Sequence, residues 1–191
     1  MKYVDKLYTN TYEVKQSKFI AYLIPYDKFQ DTLNKLKNEH PKARHFVVAY
    51  RYLNEFKQIV EHSGDDGEPK GTSGKPSLMV LQGSLMINSA VIVVRYFGGT
   101  KLGTGGLVRA YSEAVNLVIA NAILIEYKDE IELTIYFEYS NIRKVEYECE
   151  IYNIKIVQKS FEAGTIYILK ASKDDMDNFL TKLDRLVKIL D

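Results

Sequence analysis

The chain has 191 residues, and its 26 basic side chains against 25 acidic ones leave a formal charge of +1, so bulk charge gives no argument for a polyanion partner. A content of 46% hydrophobic and 27% charged residues lies near the globular average and excludes a disordered chain. A lone cysteine, Cys149, excludes an intramolecular disulfide, and no stretch approaches the ~20 apolar residues of a bilayer span or an apolar leader, so a soluble cytoplasmic protein with no membrane association is expected.

Along the first half, residues 18–24 read as a strand. Asp27 then reads as the cap of a helix, with Gln30 completing a capping box, Phe29, Leu33 and Leu36 as its buried stripe and Pro41 beyond its end. Strands at 46–52 and 58–62 flank a hairpin-like turn at Leu53-Asn54-Glu55. A polar loop at 63–76 leads, through Pro76-Ser77, to a short helix around 78–82. Residues 90–97 form the near-continuous apolar run of a strand covered on both faces. After a glycine-rich segment at 98–106, Leu107, Ala110, Tyr111, Ala114, Val115, Val118 and Ile119 follow a helical period.

The second half differs in texture. Residues 1–125 hold 16 basic and 11 acidic side chains and residues 126–191 hold 10 and 14, while ten of the 11 glycines and all four prolines precede residue 126. Two domains, 1–125 and 126–191, are therefore expected. The second reads strand 130–137, helix 141–151, strand 154–160, hairpin at 162–164, strand 165–170, helix 174–186 and strand 187–190, with Ser140 and Ser172 as helix caps and Met176, Phe179, Leu180, Leu183 and Val187 as a core face. That order is the split βαβ arrangement of a ferredoxin-like domain, and the fold class is α+β.

Two segments carry candidate chemistry. In the loop Asp65-Asp66-Gly67-Glu68-Pro69-Lys70-Gly71-Thr72-Ser73-Gly74-Lys75-Pro76, three carboxylates within four residues suit a divalent cation or acid/base work. The same residues also suit an Asx-turn loop, in which Asp65, Asp66, Thr72 and Ser73 bond backbone groups and the glycines take positive φ, or a surface loop for macromolecular contact.

From Arg95 to Tyr111 there are three basic residues, Arg95, Lys101 and Arg109, and no acid. Gly103, Thr104, Gly105 and Gly106 stand where a helix begins, so their amides could form an anion-binding nest, with Tyr96, Phe97 and Tyr111 as flanking aromatics. The spacing matches neither a Walker loop nor the dinucleotide fingerprint, and no cofactor is expected. Contact with RNA or ribosomal phosphate asks only for such amides and cations, whereas the bland alternative is that the glycines permit tight packing. His45 and His62 fall at strand ends near the polar loop, and Cys149 falls on a helix beside Glu146, Glu148 and Glu150, an unsuitable setting for a nucleophile.

The Asp65 to Pro76 segment, followed by Val93-Val94-Arg95-Tyr96-Phe97-Gly98-Gly99-Thr100-Lys101-Leu102-Gly103-Thr104-Gly105-Gly106-Leu107-Val108-Arg109-Ala110-Tyr111, resembles the signature of the IMPACT/YigZ family. Ser17-Lys18-Phe19, His45 and Ala49-Tyr50 fit the same pattern. The resemblance implies a first domain like the fold shared by a small-subunit ribosomal protein and the fourth domain of elongation factor G, and a second like that factor's fifth domain. It also implies a link to translation, since eukaryotic relatives regulate it under amino-acid starvation by competing for the activator of a kinase. Some bacterial members carry a proline-dipeptidase label, but the His, Asp and Glu residues here assemble no metallopeptidase ligand set. Val47 stands where the family commonly has a cysteine, which removes the nucleophile of a Cys-His hydrolase.

The leading expectation is a non-enzymatic translation-linked regulator that binds RNA, the ribosome or a translation-associated protein, not DNA. Arg95, Lys101 and Arg109 would contact phosphate, and the loop residues Asp65, Asp66, Gly67, Glu68, Pro69, Gly71, Thr72, Gly74 and Pro76 would shape the adjoining surface. The alternatives are a metal-dependent hydrolase or phosphoryl-transfer enzyme using Asp65, Asp66 or Glu68 with His45, and a pure protein-interaction module.

Overall fold

A computed structural model describes residues 1–161 and 164–190. The chain folds into two compact units, Met1 to Tyr127 and Lys128 onward, and both mix helix with sheet, so the protein is a two-domain α+β protein. Among the described residues no helix is long and apolar enough to cross a membrane.

The first unit contains β1 (Lys2–Tyr3), β2 (Tyr8–Val14), β3 (Ser17–Pro25), α1 (Phe29–Glu39), β4 (His45–Leu53), β5 (Ile59–Gly64), α2 (Gly74–Gly83), β6 (Ser89–Tyr96), α3 (Gly103–Ala120) and β7 (Ile125–Glu126). Five strands form an antiparallel sheet in the order β2-β3-β6-β4-β5, and β1 pairs with β7. The central strand β6 explains its own composition. Val91 and Val93 pack with Phe19, Ala21, Val47 and Ala49 against α2 and α3, whereas Ala90, Ile92 and Val94 pack on the other face with Leu36 of α1. Because both faces are covered, the strand reads as an unbroken apolar run.

Several local expectations change. Asp27 caps nothing: it lies inside a short 3-10 turn at Tyr26–Lys28, α1 starts at Phe29 without a side-chain cap, and Gln30 donates to Asn34 instead. α2 begins at Gly74 rather than near Leu78, and α3 begins at Gly103, so the four residues from Gly103 to Gly106 lie in its first turn. Strand β2 escapes the sequence reading because its alternation is carried by Tyr8, Tyr12 and Val14, which are only partly buried against the core. The expected turn after β4 forms, with Asn54 Oδ1 accepting from the amides of Phe56 at 3.0 Å and Gln58 at 2.9 Å.

The second unit contains β8 (Glu130–Phe137), α4 (Ile142–Ile151), β9 (Lys155–Ser160), β10 (Thr165–Ser172), α5 (Lys173–Leu183) and β11 (Lys188–Leu190). Its antiparallel sheet runs β11-β8-β10-β9, the fourth-first-third-second order of the ferredoxin-like fold. Met176, Phe179 and Leu183 of α5 fill its core with Ile135, Phe137, Tyr167 and Leu169. Ser172 caps α5, its Oγ accepting from the Asp175 amide at 3.2 Å. Ser140 does not cap α4, because it sits inside a 3-10 turn at Tyr139–Asn141. The helix expected to reach 186 ends at Leu183 and continues as a 3-10 turn to Leu186. The hairpin expected at 162–164 falls on residues 162 and 163, outside the described residues.

Candidate functional site

The acidic loop between β5 and α2 is first of all a helix-starting device. Asp65 Oδ1 accepts from the Ser73 hydroxyl at 2.7 Å, the Gly74 amide at 2.8 Å and the Ser73 amide at 3.2 Å, while Oδ2 accepts from the Gly71 amide at 2.7 Å. Asp65 therefore satisfies the first amides of α2 from nine residues away, which is why that helix starts earlier than its own sequence suggests. Burial alone would raise the Asp65 carboxyl, but these hydrogen bonds outweigh it and hold the group below its ordinary value. Asp66, at φ 45°, turns the other way: its Oδ2 accepts from the Phe46 amide at 2.6 Å. Thr72 Oγ1 closes the loop onto the Pro69 carbonyl at 2.7 Å.

The third carboxylate belongs to a different structure. Glu68, with a side chain 3% exposed, accepts through Oε1 from Arg95 Nη1 at 2.5 Å and from the Tyr111 hydroxyl at 2.8 Å. The Arg95 guanidinium lies 5.4 Å from the ring centre of Phe19 and 5.7 Å from that of Phe97. Burial, and then the charge of Glu68, push the Tyr111 phenol far above its ordinary value, so it stays a donor. Register brings His45 opposite Arg95 across the β4–β6 ladder. His45 Nδ1 donates to the Asp66 carbonyl at 2.8 Å, which directs Nε2 toward Glu68 Oε1 at 3.9 Å.

Of the three carboxylates that the hydrolase alternative offered to His45, Glu68 comes within 3.9 Å of its Nε2, whereas the side chains of Asp65 and Asp66 are engaged elsewhere. Asp65 bonds the start of α2, Asp66 bonds β4, and Glu68 bonds Arg95 and Tyr111. Among the described residues no group of three or more His, Cys, Asp or Glu side chains is placed to hold a metal ion.

What does converge is a cleft of about 450 Å³ at one end of the sheet. Arg95, Glu68 and His45 line it from the sheet and the acidic loop, and Arg44, Phe97 and Lys101 line it from the flanking segments. From α3 it takes Gly103, Thr104 and Leu107. Gly103 opens the helix at φ +73°, a conformation that suits glycine, and no acidic residue follows in the first turn, so the positive end of the helix faces the cleft uncompensated.

The structure thus gathers Arg95, Lys101, Gly103, Thr104, Glu68 and Pro69 around one cavity, which joins the two motif segments in space. Arg95, expected to contact phosphate, lines the cleft as half of a buried ion pair. Arg109 does not line this cleft; it lines a separate depression with Tyr12, Val108, Ser112 and Glu113. Of the remaining glycines, Gly105 is exposed and Gly106 lies against Leu102. Phe97, read from the sequence as a flanking aromatic, lines the cleft, whereas sequence reasoning missed Arg44. The signal for Arg44 was register, since it sits one step before the strand end that the β4–β6 ladder brings level with Arg95.

A two-domain α+β chain with a cation-lined cleft beside a helix N-terminus defines the structural class. The Impact N-terminal domain family matches residues 15–119, which take in the acidic loop, the cleft and α3 up to Ile119. An IMPACT family member of Haemophilus influenzae is 38% identical over 177 residues, covering 90% of this chain and 84% of its own length. The IMPACT family member YigZ of Escherichia coli is 34% identical over 175 residues, covering 90% and 85%. The chain belongs to the IMPACT family. A crystal structure described as that of a hypothetical protein superposes with a TM-score of 0.64 at 30% identity, covering 99% of this chain and 95% of the other. The two-domain translational regulator Yih1 aligns over 61% of this chain and 45% of its own at 20% identity and a TM-score of 0.35, too slight a likeness to argue from.

Proposed function

We propose that the protein is a non-enzymatic, translation-linked regulator that holds RNA phosphate, free or on the ribosome, in the cleft between the acidic loop and the start of α3. The observation that carries this reading is the convergence of Arg44 and Lys101 with the α3 N-terminus above the Arg95–Glu68 pair. Family membership supports the link to translation by association. In this arrangement Arg44 and Lys101, both exposed, meet the anion, while the buried pair beneath holds the floor rigid.

Co-sedimentation with ribosomes over a salt series tests the reading, with an Arg44→Ala/Lys101→Ala double variant alongside. Binding that weakens with salt, with a slope reduced in the variant by about two counterions' worth, is expected. Equal affinity and equal slope for the two proteins would overturn it. Binding that ignores both salt and competing RNA would transfer the role to a protein partner.

A further inference from the structure

The cleft has the dimensions and charge of a site for a strand end rather than for a strand in passage. Arg44, Arg95 and Lys101 share it with Glu68 as the one acidic neighbour, which leaves a formal charge of +2 with His45 neutral. A phosphodiester brings one negative charge, whereas a terminal phosphate monoester brings about −1.5 to −2 near neutral pH and three strong acceptor oxygens. Donors for such a group surround the cavity. Lys101 and Arg44 line it with exposed side chains, Gly103 and Thr104 line it from the start of α3, and Arg95 lines it with a side chain 7% exposed, its Nε–H buried and without a partner among the described residues.

Shape agrees with charge. About 450 Å³ falls within the ~300–1,000 Å³ of small-ligand sites, while contact along a running strand uses an extended basic groove. Arg109, which could have continued such a groove, lies in a different depression. At the rim Phe97 is 47% exposed and presents an aromatic surface of the kind on which bases stack.

Resting on the reading above and narrowing it, we propose that the cleft recognises a terminal phosphate monoester carried on a nucleoside, with the phosphate between Lys101 and Thr104 over Arg95 and the base on Phe97. A free nucleoside monophosphate and the phosphorylated end of an RNA strand share this chemistry.

Fluorescence anisotropy on the full chain separates the cases, using a short single-stranded RNA with a terminal phosphate and the same RNA ending in a hydroxyl. The phosphorylated RNA should bind at least about tenfold tighter. Phe97→Ala and Lys101→Ala should each remove most of that preference, and Arg109→Ala should keep it. Displacement of the RNA by a nucleoside monophosphate, but not by the nucleoside, would place the recognition in the terminal nucleotide alone. A phosphorylation preference that the monophosphate fails to displace would assign it to the RNA end. Equal affinity for the two RNAs, with salt dependence intact and lost in the Arg44/Lys101 variant, would overturn end recognition and leave the phosphate surface standing. Binding of the monophosphate without binding of either RNA would support the site and overturn the RNA reading, and absence of all binding would overturn both.

Discussion

The Tyr111 hydroxyl donates to Glu68 Oε1 at 2.8 Å across 43 residues of sequence, which anchors the acidic loop to the middle of the core helix α3. Since the same oxygen accepts from Arg95, the loop, the central strand and the helix meet at one carboxylate. The cleft floor is therefore as rigid as the core beneath it.

Breaking this junction should be costly, and unevenly so. Glu68→Ala leaves the Arg95 charge buried without a counterion and should cost about 3–5 kcal/mol, whereas Tyr111→Phe removes one hydrogen bond to a charged group and should cost about 1.5–3 kcal/mol. Urea unfolding followed by circular dichroism checks the order. A Glu68→Ala protein as stable as the parent would mean that the pair contributes nothing to the floor.

Gly98 should tolerate no side chain. A Cβ there would come within 2.0 Å of the Gln16 carbonyl carbon and 2.3 Å of the Ser17 nitrogen, and both are backbone atoms at the turn joining β2 to β3. Gly98→Ala should destabilise the first unit by about 2 kcal/mol or more. Gly83→Ala, where nothing lies within 4 Å, serves as the control and should be close to neutral. Thermal melting of the two variants decides the matter.

Acid should loosen the first unit through Asp65. Its carboxyl is held below the ordinary value in the folded protein, so its contribution is fully present above about pH 4, the unfolded value, and is lost as pH falls through the folded value. Asp65→Asn removes this dependence. The stability difference between parent and variant should therefore shrink as pH is lowered below about 4, and a difference constant with pH would contradict the assignment.

Cys149 should be inert in the folded protein. Burial, and next the charge of Glu146, push its thiol up to about 12, and the side chain is buried in the core of the second unit. Alkylation near pH 8 should be slow until denaturant opens that unit, so labelling monitored by mass spectrometry reports its unfolding. Rapid modification of the native protein would contradict this.

The parts legible in the sequence were those set by short-range pattern. The apolar run of β6, the stripe of α3 and the strand-helix order of the second unit follow from period and burial, which act over a few residues, and each formed close to where the pattern placed it. Helix starts were less legible, since the α2 amides are satisfied by Asp65 from outside the helix, and no local pattern encodes a cap supplied by another segment.

The motifs by themselves determined that a polar, glycine-rich loop and a basic segment ending in a helix belong to the IMPACT family. Only the tertiary structure decided what those residues do to one another. Arg95 and Glu68 stand 27 residues apart, and their separation in sequence carries no information about the 2.5 Å contact that buries both charges. That contact exists because β4 and β6 pair with His45 opposite Arg95, which sets the strand end beside the loop and the first turn of α3. Pairing across a sheet is a long-range choice made by the whole core, so it buried Arg95 against Glu68 in the cleft wall and left the exposed positions to Arg44 and Lys101.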